Sequence, residues 1–380
     1  MNKKRLSLIQ SVSCMLLFTF GSSVVVGINT QTVQDSWIAL IVGALIACPV
    51  LLIYARILRL YPGKTLFEIM DQVLGKTVGK ILCVLISWYA IHLCALVIRN
   101  FSEFMEISTM PETPQLPIMI LILLVTIYLV KSGVRTMGKW AISMFGLVLG
   151  VVIFTVVLSI SKADFENLLP IMEHTPSEIL SSSVYIASFP FMETMLFLCM
   201  ADYFGKQDNP YKMYLYSLAG GTVIFLLVIL RNLTILGQAL MKIEYFPSFV
   251  TARIISIGNI LPRIEGSIST NFVLGGIMKI AICMIAAVKG VSHLFGIEET
   301  RRMIAPVGLL ALALAATVYK SALEMFDFIN YYWIYAFPFQ VMIPLAVWLA
   351  AEIARRKKRR GIPNLSRGNP ARDRAGPAAG

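Results

Sequence analysis

Along the chain, long runs of apolar residues alternate with short polar stretches, and the charges gather between the runs. About 20 mostly apolar residues are needed for an α-helix to cross the hydrocarbon core of a bilayer. Ten runs qualify, near residues 8–30, 36–58, 79–107, 115–132, 139–160, 178–203, 212–237, 267–294, 302–320 and 332–352. The pattern predicts an all-α integral membrane protein with ten transmembrane helices. Two shorter stretches read differently. Residues 64–80 have the amphipathic pattern of a helix lying on the membrane surface. After the seventh run, "FPSFVTARIISIGNIL" reads as a short interfacial helix.

Composition supports this reading. With 57% hydrophobic and 14% charged residues and a mean hydropathy of +0.76, the chain is too apolar for a soluble domain. Much of the net charge of +12 sits in "RRKKRR", Arg355 to Arg360, and in short loops, which points to acidic membrane lipids as partners and not to nucleic acid. The transmembrane domain is expected to span residues 1–354. Residues 355–380 lack the apolar content to fold and are expected to form a basic, disordered tail. Lys and Arg collect in alternate loops: "NKKR", "RILRLYPGKT", "KSGVRTMGK", "FGKQDNPYK" and "EETRR" fall on one side with the tail. This places both termini in the cytoplasm. The segment carrying Arg231, Lys242, Arg253 and Arg263 is the exception. No small-residue cleavage site follows "MNKKRLSLIQ", so the first run is read as a retained span.

The chemistry the sequence excludes is broad. Its six cysteines all lie in apolar runs without metal or redox spacing, so neither a disulfide nor a metal site is expected. There is no P-loop and no Ser/His/Asp constellation. No cofactor and no enzymatic activity are expected.

Two runs carry residues that weaken a helix. In the first, "FTFGSSVVVG" sets Gly21, Ser22 and Ser23 together; in the sixth, "ASFPFMET" holds Pro190 and, one turn on, Glu193. Proline removes a backbone donor and frees a carbonyl that lipid cannot satisfy, so such a break survives where it lines a cavity. The first and sixth spans each open a set of five, and the two sets have opposite topology. Interrupted spans at matching places in inverted halves point to a substrate site at the bilayer midplane. A half-helix N-terminus there suits a small anionic or zwitterionic solute. The competing reading is that glycine and serine serve close helix packing and that the proline only kinks.

Charges inside the runs sharpen the site. An ionisable group at a helix centre costs about 2.5–3.5 kcal/mol to insert and should face protein or water. Glu193 would bind an ammonium group, hold a proton, or tie broken backbone to a neighbour. Lys279, in the middle of the eighth run, would pair with Glu193 or stand where a sodium ion sits in related architectures. Tyr89, Leu93 and Asn100 share one stripe of the third span, while Arg99 and Glu103 form an ion pair and His92 is structural.

These residues resemble the endospore germination permeases, the B subunits of Ger-type nutrient germinant receptors, a branch of the amino acid/polyamine/organocation superfamily. The likeness runs from Leu6 to about Arg356. It is carried by "FGSSVV", "DSWIALI", "YPGKTLFEI", "LGKTVGKIL", "IRNFSEFM" before "PETP", "SFPFMETMLFL" and "PRIEGSIS". The resemblance implies a ten-span fold of the LeuT type, a 5+5 inverted repeat with helices 1 and 6 broken around a nutrient site. It implies an amino-acid ligand, a partner A subunit and a lipoprotein C subunit, and a place in the inner membrane of the spore. On this sequence the ligand-binding residues would be Gly21, Ser22 and Ser23, Tyr89 and Leu93, Phe189, Pro190 and Glu193, with Met278 or Lys279. Ser23 stands where many members have a second glycine. The alternative function is a proton- or sodium-coupled secondary amino-acid transporter, with Glu193 or Lys279 as the coupling group.

Overall fold

The computed structural model describes residues 5–26, 32–205, 208–255 and 264–360. The helices among them are α1 (Leu8–Val26), α2 (Ser36–Leu60), α3 (Leu66–Leu74), α4 (Lys76–Ser108), α5 (Gln115–Lys131), α6 (Val134–Ser159) and α7 (Pro176–Ile186). A bend at Ala187–Phe191 leads from α7 into a tighter 3₁₀ helix, Met192–Tyr203. Then follow α8 (Pro210–Ile243), α9 (Pro247–Ile255), α10 (Glu265–Phe295), α11 (Ile304–Thr317), α12 (Ala322–Phe337) and α13 (Ile343–Arg360).

Eight helices, counting pieces joined across bends as one, are long and apolar enough to cross a membrane. Two shorter apolar helices, Leu8–Gly21 and Gln115–Lys131, lie where the first and fourth spans are expected. The buried heart of the bundle is α10, which packs along α4 and α1, together with the bent segment Pro176–Tyr203. In each of these two, 89% of the apolar stretch is buried within the protein, against 22% for α6, whose side chains are left for lipid.

The surface helix expected at residues 64–80 is α3. Thr65 accepts from the Glu68 amide while the Glu68 carboxylate accepts from the Thr65 amide, a reciprocal cap that fixes its start. Gly75 at φ 85° then turns the chain into α4. The interfacial helix expected after the seventh span is α9; residues 256–263, including Arg263, lie outside the described residues.

The structure departs from expectation in three places. The first span is helical without interruption from Leu8 through Val26, so Gly21–Ser23 do not open the backbone there. Trading intrahelical bonds for none is prohibitive in lipid, whereas the glycine penalty is only about 1 kcal/mol. Gly21 instead lets α1 approach α10: a Cβ added there would sit 2.7 Å from the Gly275 carbonyl oxygen. Second, the tenth span begins at Ala322 and bends at Pro338–Met342. Third, its helix continues through Arg360, past the end expected for the tenth span near residue 352, because cations in a last turn offset the carbonyl ends of the helix. The remaining tail, 361–380, lies outside the described residues.

Candidate functional site

The site begins with the break in the sixth span. Thr175 and Glu178 form a reciprocal cap and Pro176 starts the helix, so α7 enters the bundle in a fixed register. At Phe189 the backbone leaves helical geometry (φ −120°, ψ 110°), and Pro190 follows without an N–H. The carbonyls around the bend find side-chain donors from other helices. Gln340 Nε2 donates to Ser188 O at 3.2 Å and Tyr214 OH to Thr194 O at 3.4 Å, while the Tyr54 hydroxyl, which donates to Gln340 O, lies 3.3 Å from Met192 O. Side chains thus replace the missing ladder, which is what an unwound span buried in protein requires.

One turn past the proline, the new half-helix points Glu193 into the bundle. Its Oε2 lies 2.6 Å from Lys279 Nζ on α10, and both side chains are wholly buried. The other oxygen, Oε1, accepts from Tyr332 OH of α12 at 2.7 Å. Tyr332 OH is 2.9 Å from Tyr89 OH on α4, and Gln340 Nε2 donates to that same Tyr89 oxygen at 2.9 Å. Ser188 Oγ donates to Gln340 Oε1 at 2.8 Å, closing the network onto the bend. The Lys279 ammonium also stands 4.7 Å from the Phe189 ring centre and 5.4 Å from that of Phe18 on α1. Five spans therefore meet at one buried carboxylate and one buried ammonium.

Beside the pair lies a cavity of about 20 Å³, measured at the centre of a water molecule, bounded by Leu93, Asn100, Phe189, Glu193, Lys279 and Tyr332. That is room for about one water. Asn100 is buried, and its side-chain oxygen has no hydrogen-bond partner among the described residues. A buried acceptor left unpaired costs on the order of 1–3 kcal/mol, so this oxygen is a receptive group on the cavity wall.

The residues singled out in the sequence divide accordingly. Leu93, Phe189, Glu193 and Lys279 bound the cavity, and Tyr89 joins it through Tyr332. Pro190 makes the bend. Gly21 packs against the stem of Lys279, whose Cβ would lie 3.0 Å from a methyl added at Gly21. Met278 is buried, but helical spacing turns it from the face that carries Lys279, and it does not bound the cavity. Ser23 Oγ donates back to Thr19 O within α1, and the Ser22 side chain lies outside the described residues. Arg99 and Glu103 pair at 2.6 Å, and His92 Nδ1 meets Tyr335 OH at 2.9 Å as a packing contact. Sequence reasoning missed Tyr332 and Gln340. The signal for Gln340 was present: an amide beside a proline in "YAFPFQVMIPL" is the same polar anomaly that marks Glu193.

Outside the spans, the N-terminus of α2 is tied to the segment before α7. Asp35 accepts from the Met172 amide at 2.7 Å and from the His174 amide at 3.0 Å, with His174 Nδ1 2.9 Å away. Burial pushes the Asp35 carboxyl up, and the bonds from His174 and Met172 outweigh it, holding the group below its ordinary range.

Known proteins resemble this chain in sequence and in fold. Over 371 residues, 95% of this chain and 99% of the relative, the sequence is 27% identical to "Spore germination protein KB" of Bacillus subtilis (strain 168). It is 22% identical over 330 residues to "Spore germination protein A2" of the same organism, covering 85% of this chain and 87% of that one. Among solved structures, MhsT in complex with L-phenylalanine superposes with a TM-score of 0.67 over 93% of this chain and 90% of its own, at 11% identity. The nucleobase-cation symporter Mhp1, in a closed conformation with bromovinylhydantoin bound, gives 0.62 over 90% and 78%, also at 11%. These superpositions identify the LeuT-type transporter fold. The family model "Spore germination protein" matches residues 5–323, and the chain therefore belongs to the spore germination permease family.

Proposed function

We propose that this chain is the ligand-binding membrane subunit of a spore germinant receptor, and that it takes a small zwitterionic nutrient, an amino acid, between Glu193 and Lys279. The observation that carries the reading is the wholly buried pair beside the unpaired Asn100 oxygen, at the break of the sixth span. A buried ion pair adds little net stability. Here it serves as a stand-in for the ligand. The α-ammonium of an amino acid replaces Lys279 at the Glu193 carboxylate and donates to Asn100, while its carboxylate takes the released Lys279 ammonium. Each charge exchanges one partner for another, so the replacement is affordable only for a solute that brings both signs. The cavity of about 20 Å³ must widen to admit it, and the half-helix Met192–Tyr203 moves as it does. That motion is the signal passed on. MhsT, with L-phenylalanine bound, supports an amino acid as the ligand class on this fold.

In this reading the protein sits in the inner membrane of the spore with both termini in the cytoplasm, and works with an A subunit and a lipoprotein C subunit. A second reading is favoured by the same pair: a proton- or sodium-coupled amino-acid transporter in which Glu193 or Lys279 carries the coupling charge. The test is binding and uptake of a panel of labelled amino acids by the chain in sealed proteoliposomes, alone and with its partner subunits, under a proton or sodium gradient. Saturable binding that Glu193→Gln abolishes, without accumulation, is the expected result. Gradient-driven accumulation selects the transporter. No binding in either setting overturns both.

A further inference from the structure

At the end of the bundle that carries the start of α1, a second and larger cavity opens. Its volume is about 560 Å³, and it lies between the turn joining α5 to α6, the far end of α10 and the start of α11. Lys131, Arg135, Lys289 and Arg301 all line it, and among the described residues no carboxylate does. Cations are expected at this end of a membrane protein, but scattered over loops and mixed with acids. Here they surround one hollow. Lys289 pairs with Asp202, which stands behind the wall, and Glu299 is engaged by Arg302 at 2.5 Å. Lys131, Arg135 and Arg301 have no acidic partner among the described residues. The first turn of α6, capped by Gly133 without a side-chain acceptor, faces the same turn segment and adds to the positive field.

We infer that this cavity is a binding site for a phosphate-type anion, reached from the basic end of the molecule and separate from the mid-membrane pair. Arg135 and Arg301 supply the forked donors that phosphate oxygens favour, and Lys131 a point charge. The site also touches the half-helix Met192–Tyr203, which the proposed function sets in motion. Tyr203 lines the cavity, its ring 3.8 Å from Lys289 Nζ, and Lys289 holds Asp202 at the end of the half-helix that begins with Glu193. An anion in the cavity competes with Asp202 for that ammonium and so loosens the half-helix from α10.

The anion has two possible sources, the headgroup of an acidic lipid or free phosphate. The test uses the purified full chain with two probes: inorganic phosphate, followed by thermal stabilisation, and phosphatidylglycerol, followed by native mass spectrometry against phosphatidylcholine. The variant is Arg135→Gln/Arg301→Gln, both residues being exposed. The control, Lys76→Gln/Lys80→Gln, removes equal charge from exposed positions at the start of α4. Loss of two such cations should weaken the bound probe roughly 30-fold, with the control unchanged. Phosphatidylglycerol binding without a phosphate effect assigns the site to a lipid; phosphate binding that lipid does not match assigns it to a free anion. Equal binding of both probes by wild type and variant, or an equal loss in the control, overturns the inference.

Discussion

Replacing Lys279 with methionine tests whether Glu193 and Lys279 act as one unit. At 2.6 Å and an effective dielectric constant of ~20, their attraction is about 6 kcal/mol. Desolvating two ions costs several kcal/mol each, so the pair nets close to zero. Removing one partner is different, because the other stays buried. Lys279→Met leaves Glu193 with only the Tyr332 hydroxyl, at an expected loss of about 3–5 kcal/mol. In Lys279→Met/Glu193→Gln no charge remains, and the amide that replaces the carboxylate keeps an acceptor for Tyr332. The double variant should therefore recover most of that loss, to within about 1–2 kcal/mol of wild type. Thermal unfolding in detergent, followed by intrinsic fluorescence, reads the three melting midpoints. A double variant as unstable as Lys279→Met would refute the reasoning, since the damage would then come from lost packing around α10.

Three further outcomes follow from the geometry. Glu193→Gln alone strands the buried Lys279 ammonium as Lys279→Met strands the carboxylate, so it should lower stability by a similar amount, roughly 3–5 kcal/mol, as well as abolish the nutrient response; an unshifted melting midpoint with a normal response removes Glu193 from the mechanism. Gly275→Ala would place a methyl 2.8 Å from Gly21 Cα, and overpacking of this kind should lower stability by about 1–3 kcal/mol, so an unshifted melting midpoint would show that the helices are not so close. The depressed Asp35 carboxyl contributes stability that is present above its unfolded value near 3.9 and is lost as pH falls through the lower folded value. Protection factors of the Met172 and His174 amides, taken against the intrinsic exchange rate at each pH, should accordingly be unchanged between about pH 7 and 5 and reduced in Asp35→Ala; loss of protection in wild type at pH 5 would contradict this.

Glu193 and Lys279 were legible because a charge in an apolar run needs a reason, and each supplies the other's. Pro190 was legible because it removes a donor whatever surrounds it. Gly21–Ser23 misled for the opposite reason: a weak helical preference becomes a break only if something else accepts the freed backbone, and at Gly21 the neighbour is Gly275. Tyr332 and Gln340 went unread. Tyrosines abound near membrane surfaces, and a single amide carries no charge to flag it. Their roles depend on α12 and the bend at Pro338 meeting α4 and α7, a long-range pairing that no local pattern encodes.

The apolar stretch of the bent segment Pro176–Tyr203 is 89% buried among its neighbours, and the segment carries both Glu193 and Asp202 along with its broken backbone. During synthesis it must enter the bilayer before α10 exists to receive those acids. Its insertion is then conditional on sheltering helices that come earlier, α1 and α2 among them, and complete only when α10 delivers Lys279 and Lys289. Under the proposed function, Glu193 and Lys279 then serve biogenesis and ligand recognition alike, and a substitution at Lys279 or Lys289 can remove activity by leaving the sixth span in the wrong place. Topology mapping has to precede any binding assay on these variants.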